Sequence, residues 1–154
     1  LKNYQGVKRR FTYLGKIKNA SIYDDYAHHP TEIQATLEIA KHISKNKIIV
    51  IFQPHRYSRT KSLYSDFVKV LMKADYLFIS DIYSAGEKPI KGINALNLVR
   101  DISQKGAKKV YYLNNLNNLH SSLSPFYEKN NLIIFMGAGS ISQSANDLME
   151  EVRV

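Results

Sequence analysis

Residues 47–60 read KIIVIFQPHRYSRT: a lysine, five unbroken apolar residues, then a turn dense in polar and basic groups. A strand solvated on one face alternates apolar and polar side chains, whereas a strand covered on both faces does not. The run Ile48–Phe52 therefore reads as an interior strand, and LIIFM at 132–136 repeats the pattern. Strands of this kind belong to a mostly parallel sheet with helices on both faces.

Working outward, ASIYDD (20–25), DYLFIS (75–80) and KKVYYL (108–113) are further strands. Helical patterns alternate with them at Pro30–Lys45, Ser62–Lys73, Asn94–Gln104, Leu116–Leu123 and Ser140–Val152. The first of these sets Ile33, Leu37, Ala40 and Ile43 on one stripe. RRFTYLGKIKNASIYDD alternates around Gly15, which suggests a hairpin leading into the first interior strand. The expected fold is α/β, a three-layer Rossmann-like domain. Its mostly parallel sheet is flanked by helices, with a short N-terminal hairpin or antiparallel edge strand. Residues 1–154 form a single domain on this reading.

Composition sets limits. The chain has 154 residues, with 44% hydrophobic and 23% charged, ordinary for a globular protein. It has no cysteine, which removes disulfides, thiolate chemistry and cysteine-based zinc sites. No apolar run approaches the ~18 residues of a membrane span, so no membrane partner is expected. The opening LKNYQGVKRRF lacks the apolar core of a signal peptide, and a chain that opens on Leu1 reads as a piece of a longer protein. The net charge of +9 suits anionic small molecules as well as nucleic acid. The lysines are dispersed, with one tight cluster at Lys8–Arg10, and the plain reading is solvated lysines on helix faces.

In such a domain, sites form outside the carboxyl ends of the strands. After the first interior strand comes YDDYAHHPTE (23–32). Proline suits the first helical turn and pushes His29 out of helical geometry. His28 and His29 therefore stand in a loop at a helix N-terminus, which favours anions and disfavours imidazolium unless an anion is bound. The plain alternative is a turn-and-cap cluster. A metal site is not expected: adjacent histidines diverge and no His-x-x-x-His pair supports them. After the second strand, if a helix begins near Tyr57, Arg56 and Arg59 share a face at three-residue spacing beside His55, suited to bidentate carboxylate or phosphate binding, the plain alternative being a surface ion-pair cluster. After the third, DIYSAGEKP (81–89) is a longer polar loop than a connection needs. MGAGS (136–140) is a glycine turn that starts a helix, with Ser140 as N-cap; no phosphate-loop motif occurs.

DDYAHHPTEI, FQPHRYSRT, DIYSAGE and MGAGSI, in this order, resemble the C-terminal domain of the Mur ligases. The opening GVKRRF resembles the segment joining that family's central and last domains, so residues 1–19 would be a leading segment from the central domain. The resemblance implies a cytoplasmic, ATP-dependent carboxylate–amine ligase of peptidoglycan precursor synthesis, with this domain binding the incoming amino acid and closing over ATP. ATP and Mg2+ would be bound mainly by the central domain of the same chain. His55-Arg56-Tyr57-Ser58-Arg59-Thr60 favours members that join L-alanine to UDP-N-acetylmuramate through an acyl phosphate. The alternative members attach a recycled murein tripeptide. The resemblance implies catalytic roles for His28, His55, Arg56 and Arg59. It implies substrate or nucleotide contacts for Asp25, Tyr26, His29, Tyr83, Ser84 and Gly86. Asp25 would contact ribose or orient the histidines. The isolated piece is expected to be inactive. Readings of other classes are a nucleotide- or nucleic-acid-binding module without catalysis, which the dispersed basic residues disfavour, and a non-catalytic interaction domain. No nucleic acid partner is expected.

Overall fold

The computed structural model describes residues 10–107, 109–128 and 130–153. Lys8, Arg9 and most of the leading segment's first half lie outside the described residues. Among the described residues six strands form one sheet: β1 (Thr12–Ile17), β2 (Ala20–Asp25), β3 (Ile48–Phe52), β4 (Tyr76–Ser80), β5 (Val110–Leu113) and β6 (Leu132–Met136). Their order is β1-β2-β6-β3-β4-β5. β1 pairs antiparallel with β2, and every other neighbouring pair is parallel. The two strands with unbroken apolar runs, β3 and β6, lie side by side in the middle and are buried throughout.

Among the described residues six α-helices accompany the sheet: α1 (Pro30–Ile43), α2 (Tyr57–Ser62), α3 (Tyr64–Leu71), α4 (Ala95–Gln104), α5 (Leu119–Leu123) and α6 (Ile141–Arg153). Single 3-10 turns at Leu116–Asn118 and Ser124–Phe126 bracket α5. The two faces of the sheet carry separate cores. On one, Ile33, Leu37, Phe67, Leu71, Leu98 and Ile102 from α1, α3 and α4 cover Ile48, Val50 and Phe52. On the other, Leu119, Leu123, Ile141, Ala145 and Leu148 from α5 and α6 cover Ile49, Ile51, Ile133 and Phe135. Alternate residues of β3 thus face opposite cores, the burial on both sides that an uninterrupted apolar strand implies.

Two expectations need correction. The helix expected at Ser62–Lys73 is shorter, α3 (Tyr64–Leu71), and a separate short helix, α2, precedes it, the chain breaking between them at Leu63 (φ −114°, ψ 21°). The break falls where the Leu63 N–H is shared between the carbonyls of Arg59 and Lys61. On α1, Ile33, Leu37 and Ala40 are buried with Thr36, but Ile43 is 44% exposed in the turn where the helix ends.

Chain order and strand order together create a switch point. Helices after β2 and β3 pack on one face, while α6, after β6, packs on the other. Because β6 lies between β2 and β3, the connections diverge at its carboxyl end. A ligand crevice in an open α/β sheet forms at such a switch point.

Candidate functional site at the strand ends

The ladder continues past the strands as a row of loop hydrogen bonds. The Gly137 N–H donates to the Asp25 carbonyl (3.1 Å), and the Gln53 N–H to the Met136 carbonyl (3.0 Å). The Tyr83 N–H donates to the Pro54 carbonyl and the Arg56 N–H to the Tyr83 carbonyl, both at 2.8 Å. Four loops are thereby tied edge to edge, so their side chains meet on one rim.

Asp25 anchors the first loop. It is 1% exposed. Its Oδ1 accepts from the Ala27 N–H (2.7 Å), and its Oδ2 from the Phe11 N–H (2.8 Å) and the Thr36 hydroxyl (3.0 Å). Burial pushes its carboxyl up, against these three donors and Arg10, which pull it down. Both oxygens are committed to the protein's own groups, so of the two roles considered for Asp25 the geometry favours holding the histidine loop over touching a ribose. Beyond it, α1 opens with His29 at the N-cap and Pro30 in its first turn. Oε1 of Glu32 reaches back to the N–H groups of His28 and His29, both at 3.1 Å, the returning half of a capping box.

The rim side chains gather above this frame. Tyr26 meets the His28 ring edge-on at 5.0 Å, His28 lies 5.0 Å from His29 and 5.9 Å from His55, and His55 stacks on Tyr83 at 5.5 Å and 12°. Nη1 of Arg59 donates to Nδ1 of His55 (2.9 Å) and to its carbonyl (3.1 Å). The two arginines expected to act as a pair have separate tethers: Arg56 lies 3.7 Å from Glu87, whose carboxylate also accepts from the N–H (2.9 Å) and hydroxyl (2.5 Å) of Ser58. Ser84 and Gly86 form the turn that delivers Glu87. The Glu87 N–H closes it on the Ser84 carbonyl, and Gly86 takes the left-handed φ of 88° that favours glycine. Ser84 also lines a cavity of about 440 Å³ on which Asp81, Tyr83, Asn114 and Asn117 border. Larger concavities, near 620 Å³ beside α3 and α4 and 590 Å³ beside β1 and α6, lie away from this rim.

Electrostatics agree with an anion site. Burial, then the Arg59 guanidinium and His28, lower His29; burial, Arg59, His28 and Arg56 lower His55. Both rings thus resist protonation in the unliganded rim, the direction expected where an anion is needed to charge them.

Several structural features of the rim escaped the reading of motifs. Gln53 is 4% exposed and clamps the glycine turn, its Oε1 accepting from the Ile141 N–H (3.1 Å) and its Nε2 donating to the Ser140 hydroxyl (3.0 Å). A polar residue directly after an interior strand is the signal that could have found it. Gly139 is required by contact: a Cβ there would stand 2.5 Å from the Tyr83 ring. Arg56 holds φ 76° and ψ 137°, a left-handed backbone rare for any side chain. Among the described residues no group of three or more His, Cys, Asp or Glu side chains could hold a metal ion.

A mostly parallel, open α/β sheet with a polar, positively biased rim at its switch point defines the Rossmann-like class of fold, in which ligands bind outside the strand ends. Within that class, the family described as Mur ligase, glutamate ligase domain matches residues 9–139, and the chain belongs to the Mur ligase family. It is 49% identical over 150 residues to the UDP-N-acetylmuramate–L-alanine ligase of Rickettsia africae, covering 95% of this chain and 31% of that protein. The chain thus spans about a third of the length of such relatives. The crystal structure of the UDP-N-acetylmuramate–alanine ligase of Thermotoga maritima superposes with a TM-score of 0.72 at 30% identity, over 94% of this chain and 30% of that one. A domain assigned to a Haemophilus ducreyi UDP-N-acetylmuramate:L-alanyl-γ-D-glutamyl-diaminopimelate ligase has a TM-score of 0.65 at 21% identity. That match covers 93% of this chain and 99% of that one, and at this identity it speaks for the fold alone.

Proposed function

We propose that this chain is the C-terminal domain of a three-domain, ATP-dependent ligase that joins L-alanine to UDP-N-acetylmuramate in peptidoglycan precursor synthesis. Residues 1–19 lead in from the central domain. In this reaction ATP phosphorylates the muramoyl carboxylate, and the alanine amine attacks the resulting acyl phosphate. The family's use of ATP and the name of the 49% identical relative support this reading. ATP and Mg2+ are held mainly by the rest of the protein, since the described residues offer neither a phosphate loop nor a carboxylate cluster. No helix among the described residues is long and apolar enough to cross a membrane. A cytoplasmic setting is part of the proposal, because the UDP-sugar and ATP are cytoplasmic substrates.

The observation that carries the assignment is the convergence of His28, His55 and Arg59 on one rim. His55 and Arg59 orient the alanine carboxylate and the acyl phosphate, with Arg56 beside them, while Tyr26 and His29 border the nucleotide and His28 faces the reacting end. Tyr83 backs His55, and Ser84 and Gly86 shape the loop that carries Glu87. Asp25 holds the histidine loop in place. Fixing a carboxylate while leaving its amine free to attack removes orientational entropy from the barrier, worth several kcal/mol, ~7 in favourable cases.

The test is ADP release by the full-length protein with UDP-N-acetylmuramate and Mg-ATP, comparing L-alanine with the murein tripeptide. Turnover with alanine is expected. Turnover with the tripeptide alone would assign the recycling reaction instead. The chain by itself is expected to release no ADP.

A further inference from the structure

Glu32 stands inside YDDYAHHPTE, yet neither the anion-binding rim nor the proposed contacts use it. Its Oε1 lies 3.5 Å from Nδ1 of His28, and the same Nδ1 lies 2.9 Å from the Tyr26 carbonyl. Both neighbours only accept, so Nδ1 carries the hydrogen and Nε2 carries the lone pair. At His55 the roles are reversed. Arg59 can only donate, so Nδ1 of His55 accepts and Nε2 bears the hydrogen. The neighbouring rings therefore present an acceptor, Nε2 of His28, beside a donor, the Nε2–H of His55. Nε2 of His28 has no hydrogen-bond partner among the described residues, and its side chain is 14% exposed.

We propose that Glu32 and His28 form a proton-accepting dyad, in which Nε2 of His28 takes a proton from the incoming amino group, the Tyr26 carbonyl orients the ring and Glu32 balances its charge. The inference rests on the ligase reading above. Alanine arrives as an ammonium ion, which cannot attack. One proton passes to Nε2 of His28. The neutral nitrogen then bonds the acyl carbon, the carbon–oxygen bond to the phosphoryl group breaks, and phosphate departs with that electron pair and the second proton. His28 returns its proton to solvent. The groups that face the pair are Tyr26 and His29 on the same loop, His55 and Arg59 from the loop and helix after β3, and Arg10, 3.5 Å from Glu32. Of these and Glu32, only Glu32 is an anion, so it alone favours a proton on the ring. Glu32 stays ionised: burial raises its carboxyl, but the N–H groups of His28 and His29 more than offset this. A histidine oriented through one nitrogen, with a carboxylate beside it and its far nitrogen free for the substrate, follows the logic of an activated base.

Glu32→Gln separates this role from capping, because a Gln oxygen can accept the same two N–H groups. In the full-length protein, the kcat for L-alanine should fall about tenfold, a modest part of what a general base contributes. The KM for ATP should hold. The acidic limb of the pH–rate profile should move to lower pH, as expected on losing an adjacent opposite charge. Trapping of the acyl phosphate by hydroxylamine, which is already neutral near pH 7 and needs no base, should proceed at the wild-type rate. If alanine and hydroxylamine rates fell together, or the acidic limb stayed in place, the dyad would be overturned while the ligase reading stood. A wild-type protein inactive with alanine would overturn both. Should Glu32→Gln fold poorly, the solvent deuterium isotope effect of the wild-type protein serves instead: it should be larger with alanine than with hydroxylamine, and equal effects would overturn the dyad.

Discussion

Arg56 offers an unusual reversal of a familiar stability ranking. Its backbone sits at φ 76° and ψ 137°. The fold over-determines that conformation: the Arg56 N–H donates to the Tyr83 carbonyl at 2.8 Å, and its carbonyl accepts from the Thr60 N–H at 3.2 Å and hydroxyl at 2.8 Å. Thr60 is 1% exposed and cannot follow a shift of the chain without disturbing the core. A non-glycine residue held in such a region costs about 1–3 kcal/mol. Alanine at 56 keeps that cost, whereas glycine sheds it and loses about 0.5–1 kcal/mol through the freer unfolded chain. Arg56→Gly should therefore be more stable than Arg56→Ala by about 1 kcal/mol, or about 2–4 °C in melting temperature for a domain of this size. Both variants lack the guanidinium, so in the full-length protein both should lose alanine-dependent turnover alike. Urea unfolding of this chain measures the stability difference. Equal stabilities, or Ala above Gly, would refute the claim that the fold imposes strain at this rim residue.

Three further outcomes follow from the same geometry. Gly139→Ala places a Cβ 2.5 Å from the Tyr83 ring, and should cost about 1–3 kcal/mol by overpacking. Near-ultraviolet circular dichroism should report the displaced tyrosine. Asp25→Ala strips acceptors from Ala27, Phe11 and Thr36 and should destabilise by about 3 kcal/mol, since donors left buried without partners are expensive; chemical denaturation checks this. His29 and His55 bind protons less readily folded than unfolded. Their contribution is present above their unfolded value of 6.5 and is lost as pH falls through their lower folded values. Melting temperature should thus decline below pH 6.5, before Glu32 and Glu87, both held below 4.5, come into play. A His29→Asn, His55→Asn double variant should lack the first decline.

What local sequence could and could not reveal divides along contact range. The unbroken runs of β3 and β6 announce two-sided burial because each residue's surroundings follow from the sheet's pleat. Pro30 marks the start of α1 through its own ring chemistry. His28, His55 and Arg59 could be placed on one rim because strand ends meet wherever a parallel sheet is built. The break at Leu63 carries no proline or glycine to announce it. The strain at Arg56 is imposed by Tyr83 and Thr60, one of them distant in the chain. Gln53 shows its clamp only once the chain returns at Ser140 and Ile141. The separate tethers of Arg56 and Arg59 likewise depend on Glu87, which no helical spacing could reveal.

The central claim is that the rim serves the amino-acid step of a ligase reaction. Arg59→Ala in the full-length protein, assayed for alanine-dependent ADP release, tests it most directly. Losing charge-assisted contacts worth about 1.5–3 kcal/mol should lower kcat/KM for alanine by about 10- to 100-fold, with the KM for ATP and the thermal unfolding of the protein little changed. Wild-type turnover in a folded Arg59→Ala protein would contradict the account.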